Sequence, residues 1–223
     1  MPAPRCAVIF DLDGVLTDTA ELHYQSWQWL MDQLGVPFDR QANEALRGLS
    51  RPESLEVILG PRAAEFSEQW KQDVLRRKNE NYVERVRRMT PADLLPGVER
   101  LLRALRGREV GIAVASSSRN TDLVLQRLGI GALLDVVVDG NDVPRSKPDP
   151  AVFLEAARRL GLSPPACVVV EDAESGVAAA RAAGMRVVGV GPANRVGQAD
   201  LVRPAVAEVS IEDLLALLGK QCA

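Results

Sequence analysis

Cys6-Ala7-Val8-Ile9-Phe10-Asp11-Leu12-Asp13-Gly14-Val15-Leu16-Thr17 is an apolar run that ends in two acids and a glycine. Residues 6–10 are short, continuous and rich in strand formers, the pattern of a buried parallel strand. Two carboxylates then follow, two residues apart, where strand gives way to loop. Alternation puts both on one side, so they repel unless a cation shares their charge. Gly14 lets the chain turn away with no side chain in the path. Packing does not explain a core strand that ends this way; a site for a hard cation and a phosphate does.

The bulk numbers suit a soluble globular protein. The chain has 223 residues, enough for one large domain or a core with a smaller cap, and is 47% hydrophobic and 26% charged. A formal charge of −3 offers no electrostatic basis for binding nucleic acid or an anionic membrane. Residues 1–5 lead into a strand and not into an apolar signal segment, and no apolar run reaches membrane-spanning length. Three cysteines, Cys6, Cys167 and Cys222, are odd in number and widely spaced. Cys6 and Cys167 begin apolar runs and read as core; Cys222 falls in a tail. The expected home is the cytoplasm, and the absence of heptads or long edge strands makes a monomer the expected state.

Outward from the first loop, Asp18 and Glu21 mark a helix start, and the spacing predicts a helix from Ala20 to Leu34 with His23, Trp27, Leu30, Met31 and Leu34 on one face. A shorter helix from Arg40 to Leu46 follows, then one opened by the capping box Ser50-Arg51-Pro52-Glu53 and running to Leu59, then a long charged helix from Arg62 to Arg88. No strand signal interrupts residues 19–89. From Val98 on, helix and strand alternate, with strands expected at Val110–Ala115, Asp135–Val138, Cys167–Val170 and Arg186–Val190 and a last helix at Ile211–Leu218. The fold class read from this is α/β: a Rossmann-like parallel sheet core with an inserted all-helical cap domain. The expected division is a core of residues 1–18 and 91–223 and a cap of residues 19–90. Ligands of such sheets sit beyond the carboxyl ends of the strands, so the insert should overhang the site as a lid.

Three further stretches fall at strand ends. Ser116-Ser117-Ser118-Arg119-Asn120 gathers hydroxyls, amides and a helix start; it suits an anion, or simply a loop that caps its helix through Asn120. Lys147 sits between stiffening prolines in Ser146-Lys147-Pro148-Asp149-Pro150, where a point charge could serve a carboxylate–phosphate pair or merely face solvent. Glu171-Asp172 closes the run Cys167-Val168-Val169-Val170 and suits a hard dication with oxygen ligands, magnesium above all. Helix capping by Asp172 would leave Glu171 unexplained.

Asp11 to Thr17 matches throughout the opening motif D-x-D-G-x-[LV]-[TV] of the haloacid dehalogenase superfamily, and Ser116, Lys147 and Glu171-Asp172 resemble its second, third and fourth motifs in order. The resemblance implies that Asp11 attacks phosphorus to become an aspartyl phosphate and that Asp13 moves the proton. Ser116 and Lys147 would hold the transferring group. One Mg2+ per chain would be held by Asp11, Asp172 and the backbone carbonyl of Asp13, with Glu171 nearby. The stretches D-x-D-G-V-L-T-D-T-A-E-x-H, L-R-G-L-S-R-x-x-S, R-K-N-E-N-Y, P-A-D-L-L-P-G-V and A-S-S-S-R-N further resemble the β-phosphoglucomutase family, from about Cys6 to Gly191. That family's cap positions correspond to Thr19, His23, Trp27, Leu46, Gly48, Arg51, Ser54 and Lys78. His23 would then orient Asp13 through a network with Lys78, while Trp27 and Trp29 read as packing residues.

This family likeness implies interconversion of β-D-glucose 1-phosphate and D-glucose 6-phosphate, with β-glucose 1,6-bisphosphate as intermediate and activator and small hexose phosphates as the only partners. Such a reaction needs a second cationic pocket for the far phosphate. Arg51 in the cap, with Ser117, Ser118, Arg119 and Asn120 in the core, would supply it. Arg119 stands where the best-known members carry Lys; the charge is kept. The alternatives are a magnesium-dependent sugar-phosphate phosphatase on the same scaffold, or a non-catalytic phosphosugar sensor, which would not need to keep a nucleophile.

Overall fold

A computed structural model describes residues 4–219. Six strands form one sheet, β1 (Ala7–Phe10), β2 (Gly111–Ala115), β3 (Val136–Val138), β4 (Cys167–Glu171), β5 (Arg186–Val190) and β6 (Leu201–Arg203), in the order β3-β2-β1-β4-β5-β6. Every neighbouring pair is parallel. β1 lies in the middle, with Ala7 beside Gly111 on one side and Cys167 on the other. The chain reverses its direction of growth between β1 and β4, so the crevice beyond their carboxyl ends is the place for a ligand.

Alternation along the strands builds two apolar layers from one sheet. Val8, Phe10, Ile112, Val114, Val168 and Val170 face one cluster with Leu101, Leu102, Leu105 and Leu214. Ala7, Ile9, Ala113, Ala115, Cys167 and Val169 face the other with Phe153, Ala156, Val177 and Ala180. Both faces are covered by helices, which is why these strands are apolar throughout. Cys6 and Cys167 are buried there as expected; Cys222 lies outside the described residues.

Between β1 and β2 the chain leaves the sheet for four helices, α1 (Thr19–Leu34), α2 (Arg40–Glu44), α3 (Arg51–Leu59) and α4 (Glu68–Val86). They have a core of their own, Trp27, Leu30, Met31, Phe38, Leu46, Leu55, Leu59, Val74 and Leu75. Asp18 caps α1 by accepting from the Glu21 amide, and the Ser50–Glu53 capping box opens α3. The paths out to these helices and back lie side by side. Thr17 Oγ1 donates to the Asp93 carbonyl at 2.7 Å, and the Leu95 amide donates to the Leu16 carbonyl at 2.9 Å.

Beyond shifts of a residue at element ends, expected and observed elements differ in four places, one of them the short helix Ala193–Val196, which was not foreseen. The long helix expected from Arg62 begins only at Glu68. Gly60–Glu65 forms a tighter 3-10 turn, and Ser67 accepts from the Trp70 amide as a fresh N-cap. The helix expected to reach Leu46 ends at Glu44, and the strand β6 was not foreseen. β6 is three half-buried residues at the edge of the sheet, too short to show a period. The remaining helices are α5 (Val98–Arg106), α6 (Thr121–Leu128), α7 (Ala151–Leu160), α8 (Glu174–Ala182), α9 (Ala193–Val196) and α10 (Ile211–Leu218). Among the described residues no helix is long and apolar enough to cross a membrane.

Candidate active site

The carboxyl ends of β1, β2 and β4 carry Asp11, Ser116 and Glu171, and the loop before α7 carries Lys147. Lys147 is 1% exposed and its Nζ donates to Asp11 Oδ1 at 2.5 Å and to Glu171 Oε1 at 2.9 Å. Burial alone would discharge it, but Asp11 and Glu171 overcome that and hold its pKa above the ordinary lysine range. The ammonium is therefore an internal counter-charge.

One lysine does not balance the acids around it. Ligand oxygens of Asp11, Glu171 and Asp172 lie within 4.8 Å of one another, all buried. Burial, then the charge of Asp11, raises Glu171 to about 8 and Asp172 to about 7. Excess negative charge on oxygen donors is what a hard divalent cation would relieve, so the donor set fits magnesium. The two oxygens of Glu171 are already engaged. Oε1 takes Lys147, and Oε2 accepts from the Asp172 and Ala173 amides at 2.5 and 3.3 Å. Asp11 and Asp172 are left as the side chains open to a cation. The carboxylate of Asp13 lies outside this cluster and turns toward the helical insert.

There Thr19 Oγ1 donates to Asp13 Oδ1, and His23 Nε2 stands 3.8 Å from the same oxygen. His23 Nδ1 meets Lys78 Nζ at 2.6 Å. With Lys78 as donor, the imidazole proton sits on Nε2, facing Asp13. Burial, then the Lys78 charge, holds His23 well below its usual range; burial, then Arg51, does the same to Lys78. Lys78 also lies over the rings of Trp27 and Tyr82, 5.2 and 4.9 Å from their centroids. Burial, then Asp11, lifts Asp13 to about 6, against the pull of Thr19. A carboxyl poised there exchanges protons readily near neutrality.

A cavity of about 480 Å³ opens between sheet and insert. Asp11, Asp13 and Asp172 border it, as do His23, Trp27 and Lys78. From the insert come Leu46, Gly48, Arg51 and Ser54, and from the loop after β2 come Ser117, Ser118, Arg119 and Asn120. Thr19, Ser116, Lys147 and Glu171 do not border it. Thr19 is buried behind Asp13, Lys147 and Glu171 behind Asp11, and Ser116 borders a neighbouring cavity of about 240 Å³. Ser116 Oγ accepts from the Ser118 amide at 3.0 Å and Ser118 Oγ from the Asn120 amide at 3.2 Å, which curls the loop around its own hydroxyls.

Arg51 and Arg119 face this space, and neither pairs with an acid among the described residues. Arg51 makes one long bond, 3.4 Å to the Leu75 carbonyl, and burial, then Arg119, lowers its pKa. Two guanidiniums repelling across a cavity make a place for an anion. Asn120 Nδ2 donates to Asn79 Oδ1 at 2.9 Å and so ties this loop to α4.

Sequence reasoning missed four residues here: Asn79, Tyr82, Arg47 and Arg195. Tyr82 stacks on His23 with ring centroids 4.0 Å apart, and its hydroxyl is buried near Thr19 and Ser118. Arg47 Nη1 donates to Asp172 Oδ2 at 2.9 Å, and Arg195 Nε to the Asp172 carbonyl at 2.7 Å. Arg47, Asn79 and Tyr82 lie inside stretches quoted above; Arg195 has no motif around it.

Comparison with known proteins places this geometry. A family model described as haloacid dehalogenase-like hydrolase matches residues 7–184. The chain is 45% identical over 208 residues to a β-phosphoglucomutase of Bacillus subtilis (strain 168), covering 92% of each. It is 32% identical over 216 residues to a phosphorylated carbohydrates phosphatase of Thermotoga maritima, covering 95% of this chain and 97% of the relative. Among solved structures it matches a β-phosphoglucomutase from Clostridium difficile at 38% identity and a TM-score of 0.91, over 95% of this chain and 96% of that one.

Proposed function

The chain belongs to the haloacid dehalogenase-like hydrolase family, and on that premise we infer that it is a β-phosphoglucomutase, interconverting β-D-glucose 1-phosphate and D-glucose 6-phosphate. The observation that carries the reading is the pair Arg51 and Arg119, unpaired at a cavity whose other boundary is Asp11. A hydrolase needs one phosphate site and a water; a mutase must hold a second phosphate while the first transfers.

Asp11 is the nucleophile. Buried against Lys147 and bordering the cavity, it carries the phosphoryl group as an aspartyl phosphate. That group passes to the 6-hydroxyl of β-glucose 1-phosphate. Asp13 takes the hydroxyl proton, held in place by Thr19 and by the neutral imidazole of His23, which Lys78 orients. β-Glucose 1,6-bisphosphate then turns end for end and returns its 1-phosphate to Asp11, while Asp13 gives its proton back to the departing C1 oxygen and glucose 6-phosphate is released. Ser116 and Lys147 hold the transferring group; Arg51, Ser117, Ser118, Arg119 and Asn120 hold the distant one, with Ser54, Leu46, Gly48 and Trp27 shaping the sugar space. Asp11 and Asp172, with Glu171 supporting, would hold Mg2+, which would supply positive charge to offset that on the phosphoryl oxygens. Residues 19–90 act as a cap over a core of residues 1–18 and 91–223, and closure keeps water from the aspartyl phosphate. Hexose phosphates are the partners of a monomeric enzyme in the cytoplasm.

A coupled assay for glucose 6-phosphate, given β- or α-glucose 1-phosphate with Mg2+ and a trace of bisphosphate, tests this. Conversion of the β anomer alone, without free phosphate, is expected. Phosphate release with no isomerisation would make the enzyme a phosphatase, like the Thermotoga relative. In a clean preparation of D11N neither isomerisation nor the phosphorylated protein should be seen; turnover by that variant would refute the nucleophile.

A further inference from the structure

The segment between α2 and α3 touches the cation site from above. Arg47 Nη1 donates to Asp172 Oδ2 at 2.9 Å, joining residues 125 positions apart in the chain, while its Nε holds Glu44 Oε2 at 3.0 Å. The backbone is keyed to the core at the same spot. Ser175 Oγ donates to the Arg47 carbonyl at 3.1 Å, and a Cβ on Gly48 would lie 2.2 Å from Ser175 Oγ. From the core side Arg195 reaches Glu44 at 3.5 Å as well as the Asp172 carbonyl. The Asp172 side chain is 7% exposed and that of Arg47 24%, so water screens this pair far less than an ion pair on the surface.

A cation held by Asp11 and Asp172 and a guanidinium held by Asp172 draw on the same negative charge. Each therefore weakens the grip of the other, and the effect is reciprocal. We propose that Arg47 is a positioning residue that acts through Asp172, coupling the seating of the cap to occupancy of the cation site. Its guanidinium supplies part of the counter-charge until a cation arrives. The cation alone loosens that contact, and a phosphoryl group beside Asp11 restores enough negative charge for cation and Arg47 to be held together. Arg47 thus favours a closed cap when metal and phosphate are present as a pair. The inference rests on the metal-dependent phosphoryl-transfer reading above.

Mn2+ binding to the full-length, substrate-free enzyme, followed by the loss of the free-ion paramagnetic signal, tests it in wild type, R47Q and R47K. R47Q removes the competing charge at similar size and is expected to bind Mn2+ about fivefold more tightly or better. R47K, which keeps the charge, is expected to stay with wild type. Should R47Q not fold, R47A carries the same expectation. Unchanged or weaker Mn2+ binding by the neutral variant overturns the coupling. Equal tightening in R47K also overturns it, since packing and not charge would be responsible. A wild-type enzyme that binds no Mn2+ overturns the metal-dependent reading itself, a different failure.

Discussion

Asp11, Glu171 and Asp172 crowd three acids around the buried Lys147 ammonium, with Asp13 close by, and that imbalance shapes the behaviour of the site with pH. Asp13, Asp172 and Glu171 have folded pKa values of about 6, 7 and 8, all above their ordinary range, chiefly through burial. Groups raised in this way bind protons more tightly folded than unfolded. Their contribution to stability is present below about pH 4 and is lost as pH rises through about 6 to 8. Magnesium binds the ionised forms and offsets the loss. His23 and Lys78, held below their ordinary ranges by burial, push the other way over the same pH range, so the readout in thermal melts is the Mg2+ increment in Tm, which should be larger near pH 9 than near pH 5. An equal Mg2+ effect at both would count against the acid cluster as the cation site. Gly176 is the second sensitive residue. A Cβ there would lie 1.5 Å from Glu171 Oε1, the oxygen that holds Lys147. G176A should cost about 1–3 kcal/mol by denaturant unfolding and weaken the Mg2+ response, because Glu171 must move and Lys147 with it. The neighbouring surface change A182S, outside these contacts, serves as the comparison.

At the scale of the element, α3 delivers Arg51. The Ser50–Glu53 capping box starts the helix, Leu55 and Leu59 anchor it in the insert's own core, and Arg51 is left at its first turn facing the cavity. R51A should weaken glucose 1,6-bisphosphate roughly tenfold or more, as loss of a charged hydrogen-bond donor does, and leave inorganic phosphate nearly unaffected. Calorimetric titration of both ligands reads this directly, and equal losses would remove the second phosphate pocket. S50A isolates the cap: about 1 kcal/mol of stability should go, with a smaller loss of bisphosphate affinity, since the helix frays where Arg51 begins. α4 does related work through Lys78 and Asn79. Its start at Glu68 and not at Arg62 shows how a Ser67 cap and a 3-10 turn are hidden in a charge-rich stretch that reads as one helix.

For the whole molecule the relevant fact is that the insert has its own core and is tied to the sheet by two adjacent strands of chain. Thr17 with Asp93 and Leu16 with Leu95 pair these paths into one narrow connection. Beyond it, Tyr82, Val86 and Met89 of the insert pack into the sheet's own apolar cluster, while nearer the cavity insert and core meet through polar contacts, among them Asn120–Asn79, Arg47–Asp172 and Ser175–Arg47. Contacts of this kind exchange with water cheaply, whereas the apolar layers on the sheet do not. Hydrogen exchange should therefore show substrate and Mg2+ together protecting the amides of residues 44–51 and 116–121, while β1, β2 and β4 stay protected throughout. No ligand-dependent change in the first two segments would mean that the cap does not move during the reaction.

The sequence by itself determined the class of fold and the place of the chemistry. Residues 6–17 announce a buried strand ending in acids, and Ser116 and Glu171-Asp172 fall at strand ends while Lys147 falls in the loop before α7, because apolar runs and their polar terminations are local in the chain. It also singled out Asp11, Asp13, Ser116, Lys147 and Asp172 as candidates, and the lack of any strand signal gave residues 19–90 as the expected insert. Only the tertiary structure decided what each acid touches. Glu171 has both oxygens spent on Lys147 and on backbone amides, Asp13 turns to Thr19 and His23, and Asp172 alone is shared with Arg47. Those assignments depend on contacts between residues far apart in sequence, and on how much water each pair retains. Neither distance nor desolvation is written in the order of the residues.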